Sequence, residues 1–325
     1  MTVFPDYEKD GSHRNRMVYG YYGLVLLMNR RKELSGPVTI ISGKAQRTNA
    51  VSARLPQHVY RGPWFEKIGE LRDGVTILTP FSFAEKLRLR FLSLRLYRKN
   101  HGKILDYILW QEFCFIAAFL NRVKPPCVYA RGHFDECAVW LGKLCDLLGL
   151  EYRVYQHGVV SRKDVVPDRY PCTEFFVFDN YSADVFRANY ISNPECVFTV
   201  YPFPPSVAFS TLERKTGYRY IGIVEQMNPD WVRQACAYFE RKGEKAVYVI
   251  MKHPLSAAKY TEDEETLVTT VKYGNLDCLV TVNSTLLLDY YRNGYQGEVY
   301  VTDPDALEMF SGYPNVRCLD LKEMQ

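Results

Sequence analysis

The sequence predicts an α/β protein made of two halves, each built around a parallel β-sheet. Its 325 residues correspond to two domains at a typical size of roughly 150 residues each. From about residue 17 onward, short β-rich runs alternate with helical stretches, the pattern of βα units around a parallel sheet. The proline cluster at residues 201–205 cannot continue a helix or a central strand, so it predicts a stiff linker. We therefore expect domains at residues 1–205 and 206–325.

Runs of β-branched and aromatic residues predict six strands in the first half. These strands are residues 38–41, 75–78, 127–130, 152–155, 175–178 and 197–200. Helical patterns are predicted at residues 19–34, at 84–123 with a break near 100–102, and at 182–190. Between the last two, a further helix is predicted from the end of the loop at 131–136 to residue 148, so that it is the third along the chain. Gly149 follows the third of these helices and predicts its C-terminal cap, because glycine readily adopts the left-handed conformation.

The second half continues the βα pattern. Its predicted strands are residues 220–224, 245–251, 278–282 and 299–302. Asn228, Pro229 and Asp230 predict the start of a helix, since proline is favoured in the first helical turn. Gly222 lies inside the first strand and predicts close packing against a neighbouring element.

The composition is that of a soluble globular protein. Hydrophobic residues make up 47% and charged residues 24%, which argues against disorder and low complexity. The nine cysteines never form C-x-x-C and lie mostly in apolar runs, so we expect reduced, buried thiols. The N-terminus has no apolar signal region, and residues 104–120, the longest apolar run, are interrupted by charges. These features predict a cytoplasmic location.

The two halves differ in charge. Residues 1–205 hold 28 Lys+Arg against 20 Asp+Glu, a net charge of +8, and residues 206–325 hold 13 against 17, a net charge of −4. Excess charge of one sign attracts partners of the other sign and says little about the fold. This excess is too mild for a nucleic-acid binder, so we expect no nucleic-acid partner.

Polar residues that directly follow a strand are the candidates for a functional site. In open parallel sheets, ligands bind at the carboxyl ends of the strands. Five such strand ends carry polar groups, at residues 131–136, 156–158, 225–226, 252–254 and 283–285. No G-x-G-x-x-G or Walker sequence is present, which disfavours dinucleotide oxidoreductases and P-loop NTPases.

One strand end carries two adjacent hydroxyl groups. Asn283, Ser284 and Thr285 lie between a strand and the apolar run that follows it. Hydroxyls and unpaired N–H groups at the start of a helix can hold a phosphate. The simpler interpretation is an ordinary helix N-cap.

A second strand end carries a histidine beside a lysine. Lys252, His253 and Pro254 follow a strongly apolar strand. A histidine there can donate a hydrogen bond to a phosphate and stabilise the negative charge of a departing nucleotide. The simpler interpretation is a histidine whose hydrogen bonds are made to the backbone.

The order of these two strand ends resembles that in bacterial sialyltransferases and related CMP-sugar transferases of surface polysaccharide synthesis. In that family a His-Pro pair is followed by a Ser-Ser or Ser-Thr pair that opens a helix, as His253-Pro254 and Ser284-Thr285 do here. The resemblance covers mainly residues 127–160 and 219–295. It implies two Rossmann-like domains facing a cleft, the GT-B glycosyltransferase fold. It also implies that His253, Ser284 and Thr285 contact the nucleotide.

The same resemblance implies a general base in the first half, from a pair of acids followed by glycine. Asp135 and Glu136 stand at the corresponding place, with Cys137 instead of the glycine. Acids in the first turn of a helix are also favoured by the helix dipole alone. His157 is the competing base, and its strand end resembles the His-Gly element of the CDP-glycerol phosphotransferases of teichoic acid synthesis, which share the fold. A structural histidine at a tight turn is the alternative.

Together with these strand ends, the resemblance implies an inverting, metal-independent glycosyltransferase that uses a CMP-activated sialic acid or related sugar. The acceptor would be a saccharide or lipid-linked saccharide of a cell-surface glycan. We expect no cofactor besides the donor, because the leaving group carries a single phosphate. The second half would bind the nucleotide and the first half the acceptor. The residues expected around the nucleotide are Glu225, Lys252, His253, Pro254, Asn283, Ser284 and Thr285.

Other functions remain open at this point. Within the same fold they are a CDP-polyol phosphotransferase, a Kdo transferase, and a transferase that uses a UDP- or GDP-sugar. Outside catalysis, a nucleotide- or sugar-binding module would need the same cleft without a base.

Residues 86–99 combine six basic residues with seven large apolar ones. Such a helix can lie on an anionic membrane surface, which would place the enzyme at the inner face of the membrane. The alternative is a helix packed through Leu87, Phe91 and Leu94 with a solvated basic face.

Overall fold

Two units make up the chain, each with its own six-stranded parallel sheet. The computed structural model describes residues 31–43, 51–64, 74–100, 104–132, 136–164, 168–204, 207–226, 228–253 and 256–319. Unit 1 comprises Met1–His157 and Val165–Pro202, and unit 2 comprises Gly158–Asp164 and Phe203–Gln325. The short segment Gly158–Asp164, which the sequence pattern groups with the first half, thus belongs to unit 2.

Unit 1 has a fully parallel sheet in the order β2-β1-β3-β4-β5-β6. The strands are β1 (Val38–Gly43), β2 (His58–Trp64), β3 (Cys127–Arg131), β4 (Glu151–Tyr155), β5 (Glu174–Val177) and β6 (Val197–Val200). Five of them were predicted from the sequence. The apolar residues of β1, β3, β4 and β5 are largely buried, as in a parallel sheet covered on both faces, whereas Val197 and Val200 of the edge strand β6 are exposed.

Strand β2 and its neighbourhood differ from the prediction. β2 contains Pro63, which marks a strand as an edge or non-strand segment when only the sequence is considered. The strand predicted at residues 75–78 is reduced to one parallel bridge between Tyr60 and Thr76. The Thr79 hydroxyl accepts the Thr76 N–H at 2.7 Å, and the Thr79 N–H donates to the Thr76 carbonyl at 3.0 Å. This local turn ends the strand before it can pair further.

Four helices of unit 1 are described. They are α1 (Phe83–Asn100), α2 (Ile104–Val123), α3 (Glu136–Leu148) and α4 (Asn180–Asn189). A reciprocal capping box starts α1, because the Ser82 N–H donates to Glu85 Oε2 at 2.7 Å and the Glu85 N–H donates to Ser82 Oγ at 3.3 Å. Gly149 ends α3 with a φ of +65°, as predicted. Of the helix predicted at residues 19–34, positions 31–34 are irregular and the others lie outside the described residues.

Unit 2 has a second parallel sheet in the order β10-β9-β8-β12-β13-β14. Its strands are β8 (Arg219–Val224), β9 (Ala246–Met251), β10 (Thr266–Thr269), β12 (Cys278–Thr281), β13 (Glu298–Val301) and β14 (Val316–Cys318), and β7 (Phe209–Ser210) pairs separately with β11 (Lys272–Tyr273). The sequence predicted the four central strands and missed β10 and β14. These two lie at the edges and are only partly buried, so their apolar signal is weak.

Three helices of unit 2 complete its described structure. They are α5 (Pro229–Arg241), α6 (Leu286–Arg292) and α7 (Pro304–Met309). The Asn228 side chain caps α5 by accepting the Trp231 N–H at 3.1 Å, as its sequence predicted. Trp231, Val232 and Phe239 of α5 are buried against the sheet, and the Trp231 indole N–H donates to the Thr302 hydroxyl at 3.2 Å.

The cysteines agree in part with the prediction of reduced, buried thiols. The eight cysteines whose side chains the structure describes are free, and five of them are buried, although Cys318 on the edge strand β14 is exposed. Within the described ranges, no helix combines the length and apolar character needed to cross a membrane.

Candidate functional site

The strand order of unit 2 gathers the predicted nucleotide residues at one edge of its sheet. From β8 the chain builds β9 and β10 on one side and then returns to build β12, β13 and β14 on the other. The carboxyl ends of β8 and β12 therefore flank a topological switch point, the place where open α/β sheets bind ligands. Glu225 follows β8, Lys252 and His253 follow β9, and residues 283–285 come shortly after β12.

A chain of polar side chains runs across this switch point. The Gln226 amide N–H₂ donates to Asn283 Oδ1 at 3.1 Å, which joins the end of β8 to the end of β12. Asn283 Nδ2 in turn donates to Asp303 Oδ2 at 3.4 Å, at the end of β13. Asp303 also caps α7, because its Oδ1 accepts the Asp305 N–H at 3.0 Å. Asn283 is therefore a bridge between strand ends.

Glu225 is held entirely by donors of unit 2. Its side chain is 1% exposed. Oε1 accepts the hydroxyls of Ser256 and Tyr260, each at 2.6 Å, and Oε2 accepts the His253 N–H at 2.9 Å. Burial by itself raises the pKa of this carboxyl, but these hydrogen bonds and the charge of Lys252 outweigh it, and the pKa lies below its ordinary value. Glu225 thus fixes the segment that carries His253.

Two lysines make hydrogen bonds to backbone carbonyls of the segment that carries His253. Lys252 Nζ donates to the Ala258 carbonyl at 2.6 Å, and Lys272 Nζ donates to the Lys252 carbonyl at 3.4 Å. Lys272 is half-buried, and burial lowers the pKa of its ammonium group although Glu225 acts against this. An ammonium group carries three N–H donors, so Lys252 can bind Ala258 and a ligand together. His253 is exposed at the strand end.

The hydroxyls of Ser284 and Thr285 accept backbone hydrogen bonds. Ser284 Oγ accepts the Leu286 N–H at 3.2 Å, and Thr285 Oγ1 accepts the Val159 N–H at 3.4 Å. A hydroxyl that accepts one hydrogen bond keeps its own proton to donate. The following helix α6 has seven residues, and Thr285 makes no side-chain cap to it. The anion-binding capacity predicted here therefore depends on the two O–H donors, since a helix this short adds little.

Residues Gly158–Asp164 pack onto the same edge of unit 2. Besides the Val159–Thr285 hydrogen bond, Ser161 Oγ donates to Asp305 Oδ2 at 3.3 Å and Lys163 Nζ pairs with Asp305 Oδ1 at 2.8 Å. The Asp305 carboxylate is thus neutralised by a cation and a hydroxyl. Ser161 and Asp305 are 144 positions apart in the chain, so the sequence gives no signal for this contact.

The predicted base residues belong to unit 1. Asp135 lies outside the described residues, as does Pro254 of the nucleotide set. Glu136 is the first residue of α3, just after β3, and His157 is exposed two positions after the neighbouring strand β4. Both backbones therefore lie at the carboxyl edge of the unit 1 sheet. Beside His157, the buried Gln156 side chain accepts the Phe178 N–H at 2.7 Å, which fixes this strand end.

The comparison with solved structures identifies the fold. No protein-family model and no curated protein sequence matches the chain. A structure described as the glycotransferase of kitacinnamycin is similar with a TM-score of 0.50 and 11% identity, covering 90% of this chain and 87% of that one. Calicheamicin glycosyltransferase CalG4 matches with a TM-score of 0.49, 9% identity and coverage of 88% and 85%. SnogD, a glycosyltransferase from Streptomyces nogalater, matches with a TM-score of 0.48, 11% identity and coverage of 88% and 87%.

The predicted fold class is confirmed: the chain is an α/β protein with two Rossmann-like domains, the GT-B glycosyltransferase fold. At this identity the similarity is one of fold, so the reaction has to be inferred from the residues of the site.

Proposed function

We propose that the chain is an inverting glycosyltransferase that transfers a sialic acid or related sugar from a CMP-activated donor to a saccharide or lipid-linked saccharide acceptor. The observation that carries the proposal is the set of donors at the switch-point edge of unit 2. Lys252 and His253 lie on one side of β8, and the hydroxyls of Ser284 and Thr285 lie on the other.

The spacing of these groups suits a nucleotide. Strands β9 and β12 both neighbour β8, so their carboxyl ends are two strand spacings apart, roughly 10 Å. A single inorganic phosphate is smaller than this span, whereas a nucleoside monophosphate can contact both sides. The side chains of Lys252 and His253 on one side and Ser284 on the other would converge on the phosphate and the ribose.

The same donors would lower the barrier to departure of the nucleotide. As the bond from the sugar to the phosphate breaks, negative charge grows on the phosphate. An ammonium group, an imidazole and two hydroxyls stabilise that charge more strongly in the transition state than in the bound donor. In this proposal no metal or other cofactor is needed, because the leaving group carries one phosphate.

The acceptor hydroxyl needs a base in this reaction. Asp135, Glu136 or His157 would take its proton as the acceptor oxygen attacks the sugar carbon. Substituting Asp135→Ala and His157→Ala separately, and measuring turnover and donor binding, distinguishes Asp135 from His157 as the base. The base variant should lose turnover at least tenfold and keep donor affinity. If neither substitution does so, both assignments are wrong.

Isothermal titration with CMP, CDP, UDP and GDP tests which nucleotide the chain binds. We expect CMP to bind, and the isosteric Thr285→Val substitution to weaken it about 10- to 100-fold, as loss of a hydrogen bond to a charged group does. Ser311→Ala is the matched control, since Ser311 is exposed elsewhere in unit 2. Absence of binding by any cytidine nucleotide contradicts the proposal, and preference for UDP or GDP assigns a different donor.

A donor-turnover assay separates an enzyme from a binding module. A module would bind the nucleotide but leave a CMP-sugar intact with every acceptor offered. A CDP-polyol phosphotransferase would instead transfer phosphate together with the polyol and release CMP from a CDP-linked donor. Product analysis by mass spectrometry distinguishes these reactions.

A further inference from the structure

Helix α1 of unit 1 presents a mixed apolar and basic face to solvent. Phe91 is 69% exposed and Leu92 is 48% exposed, which is unusual for two adjacent large apolar side chains. Arg88, Arg95 and Arg98 are exposed on the same side of the helix. Positions 88, 91, 95 and 98 follow the three- and four-residue spacing of one helical face. We call Arg88, Phe91, Leu92, Arg95 and Arg98 the α1 face.

The opposite side of α1 anchors it to unit 1. Lys86, Ser93 and Tyr97 are buried there, and α1 packs on α2 with an ion pair between Glu85 and Arg122 at 3.7 Å. Of the six basic residues that the sequence offers for a membrane, Lys86 therefore points inward. The alternative prediction packed the helix through Leu87, Phe91 and Leu94; its assignment of Phe91 is wrong, because Phe91 points to solvent.

The arginines of the α1 face have no oppositely charged partner in the described part of the chain. Arg88, Arg95 and Arg98 make no ion pair with any described residue. A guanidinium group forms paired hydrogen bonds with phosphate oxygens better than an ammonium group does. The apolar side chains sit between these arginines along the helix, so a partner must offer anionic groups and an apolar interior side by side.

We propose that the α1 face binds the surface of an anionic lipid bilayer. From residue 88 to residue 98 the helix rises about 15 Å, so it can lie flat with Phe91 and Leu92 among the acyl chains and the arginines at the phosphates. A second copy of the chain is a poorer occupant, because self-association through this face would bring like-charged arginines together. The proposal stands apart from the donor nucleotide, so a failure of CMP binding would leave it intact.

Vesicle flotation with the full chain tests the proposal. We compare vesicles of phosphatidylcholine alone with vesicles that contain about 30% phosphatidylglycerol, at low and high salt. Binding should require the anionic lipid and weaken as salt screens the charges. Replacing the three arginines of the α1 face by glutamine should reduce partitioning on the order of 100-fold, given the attraction of each basic residue near an anionic surface.

The apolar contribution is tested with the double substitution Phe91→Ser/Leu92→Ser. It should lower partitioning at least tenfold, because two side chains no longer enter the acyl region. Leu147→Ser is the matched apolar control, since Leu147 is 79% exposed on another helix of unit 1. Replacing Arg54, Arg169 and Lys259 by glutamine is the matched charge control.

Two outcomes overturn the proposal. The first is that the wild-type chain does not bind anionic vesicles, or that the α1-face variants bind as well as it does. The second is that light scattering shows a dimer that Phe91→Ser/Leu92→Ser dissociates, while vesicle binding is unchanged. Thermal unfolding of every variant should match that of the wild type, because the substituted side chains are exposed.

Discussion

Glu225 provides the sharpest test of how the candidate site is held together. Its carboxylate accepts three hydrogen bonds from the 253–260 segment, two from hydroxyls at 2.6 Å and one from a backbone N–H at 2.9 Å. In Glu225→Gln, the amide oxygen can still accept the His253 N–H. The amide N–H₂ would face Ser256 and Tyr260, whose hydroxyls can rotate to accept. The geometry is thus kept and the charge is lost.

The expected magnitude follows from these three bonds. A hydrogen bond to a charged group contributes about 1.5–3 kcal/mol and a neutral one about 0.5–1.5 kcal/mol, so losing the charge weakens the set by about 3 kcal/mol. A glutamine is easier to bury than a carboxylate, which offsets part of this loss. We expect Glu225→Gln to destabilise unit 2 by about 1–2 kcal/mol. Glu225→Ala leaves three donors without their acceptor and should cost roughly 3 kcal/mol.

Hydrogen exchange followed by mass spectrometry measures this effect where it arises. Peptides from residues 252–260 should exchange faster in both variants, whereas peptides from unit 1 should not change. Glu264→Gln is the control, because the Glu264 side chain is 94% exposed. Affinity for CMP should fall with Glu225→Ala, since the His253 N–H then has no acceptor that fixes its segment.

The pH dependence gives a second, independent readout. The pKa of Glu225 is lowered in the folded state, so its contribution to stability is present above the ordinary value near 4.5. It is lost as the pH falls through the lowered pKa. The stability difference between the wild type and Glu225→Gln should therefore shrink as the pH is lowered below 4.5. A difference that stays constant in acid, together with unchanged exchange at residues 252–260, would refute the assigned role of Glu225.

Three further predictions concern side-chain packing and helix capping inside the individual units. Gly222→Ala should cost about 1–3 kcal/mol in thermal unfolding, because an added Cβ would lie 2.5 Å from Leu276 Cδ1; an unchanged Tm would mean that the core yields there. Trp231→Phe should cost about 1–2 kcal/mol through its lost bond to Thr302, and adding Thr302→Val should cost little more, which a double-mutant cycle checks. Asp179→Ala should cost about 1 kcal/mol by removing the N-cap of α4, whereas Asp179→Asn should restore most of it in urea unfolding.

The sequence predicted the buried strands well and missed three of the four edge strands, β2, β10 and β14, whereas the edge strand β6 was predicted. β8, β9 and β12 are apolar along nearly their whole length because both faces of the sheet are covered, so their residues form unbroken apolar runs. Strands β10 and β14 contact only one neighbour each and keep polar, half-exposed residues. Strand β2 was missed because it contains Pro63, and proline is tolerated in a strand only where a hydrogen bond of the ladder is missing.

The position of the candidate site could be predicted, but its internal partners could not. Parallel strands end at a common edge, so a list of strand ends already places Glu225 near His253 and Asn283. The contacts of Glu225 with Ser256 and Tyr260 span 31 and 35 positions and depend on the path of an irregular loop. The sequence predicted Glu225 only as a residue around the nucleotide, whereas the structure shows its carboxylate holding the segment that carries His253.

The net charge of −4 in residues 206–325 is compatible with an anion site, because the carboxylates at this edge have partners of their own. Glu225 is surrounded by three donors, and Asp305 pairs with Lys163 and accepts the Ser161 hydroxyl. At physiological ionic strength, charges on the remaining surface act over only about 8 Å. In the proposed function, Lys252 and the local hydroxyl donors would therefore dominate the potential at the donor phosphate. A basic domain is not required for nucleotide binding when the nearby carboxylates are already held by donors of their own.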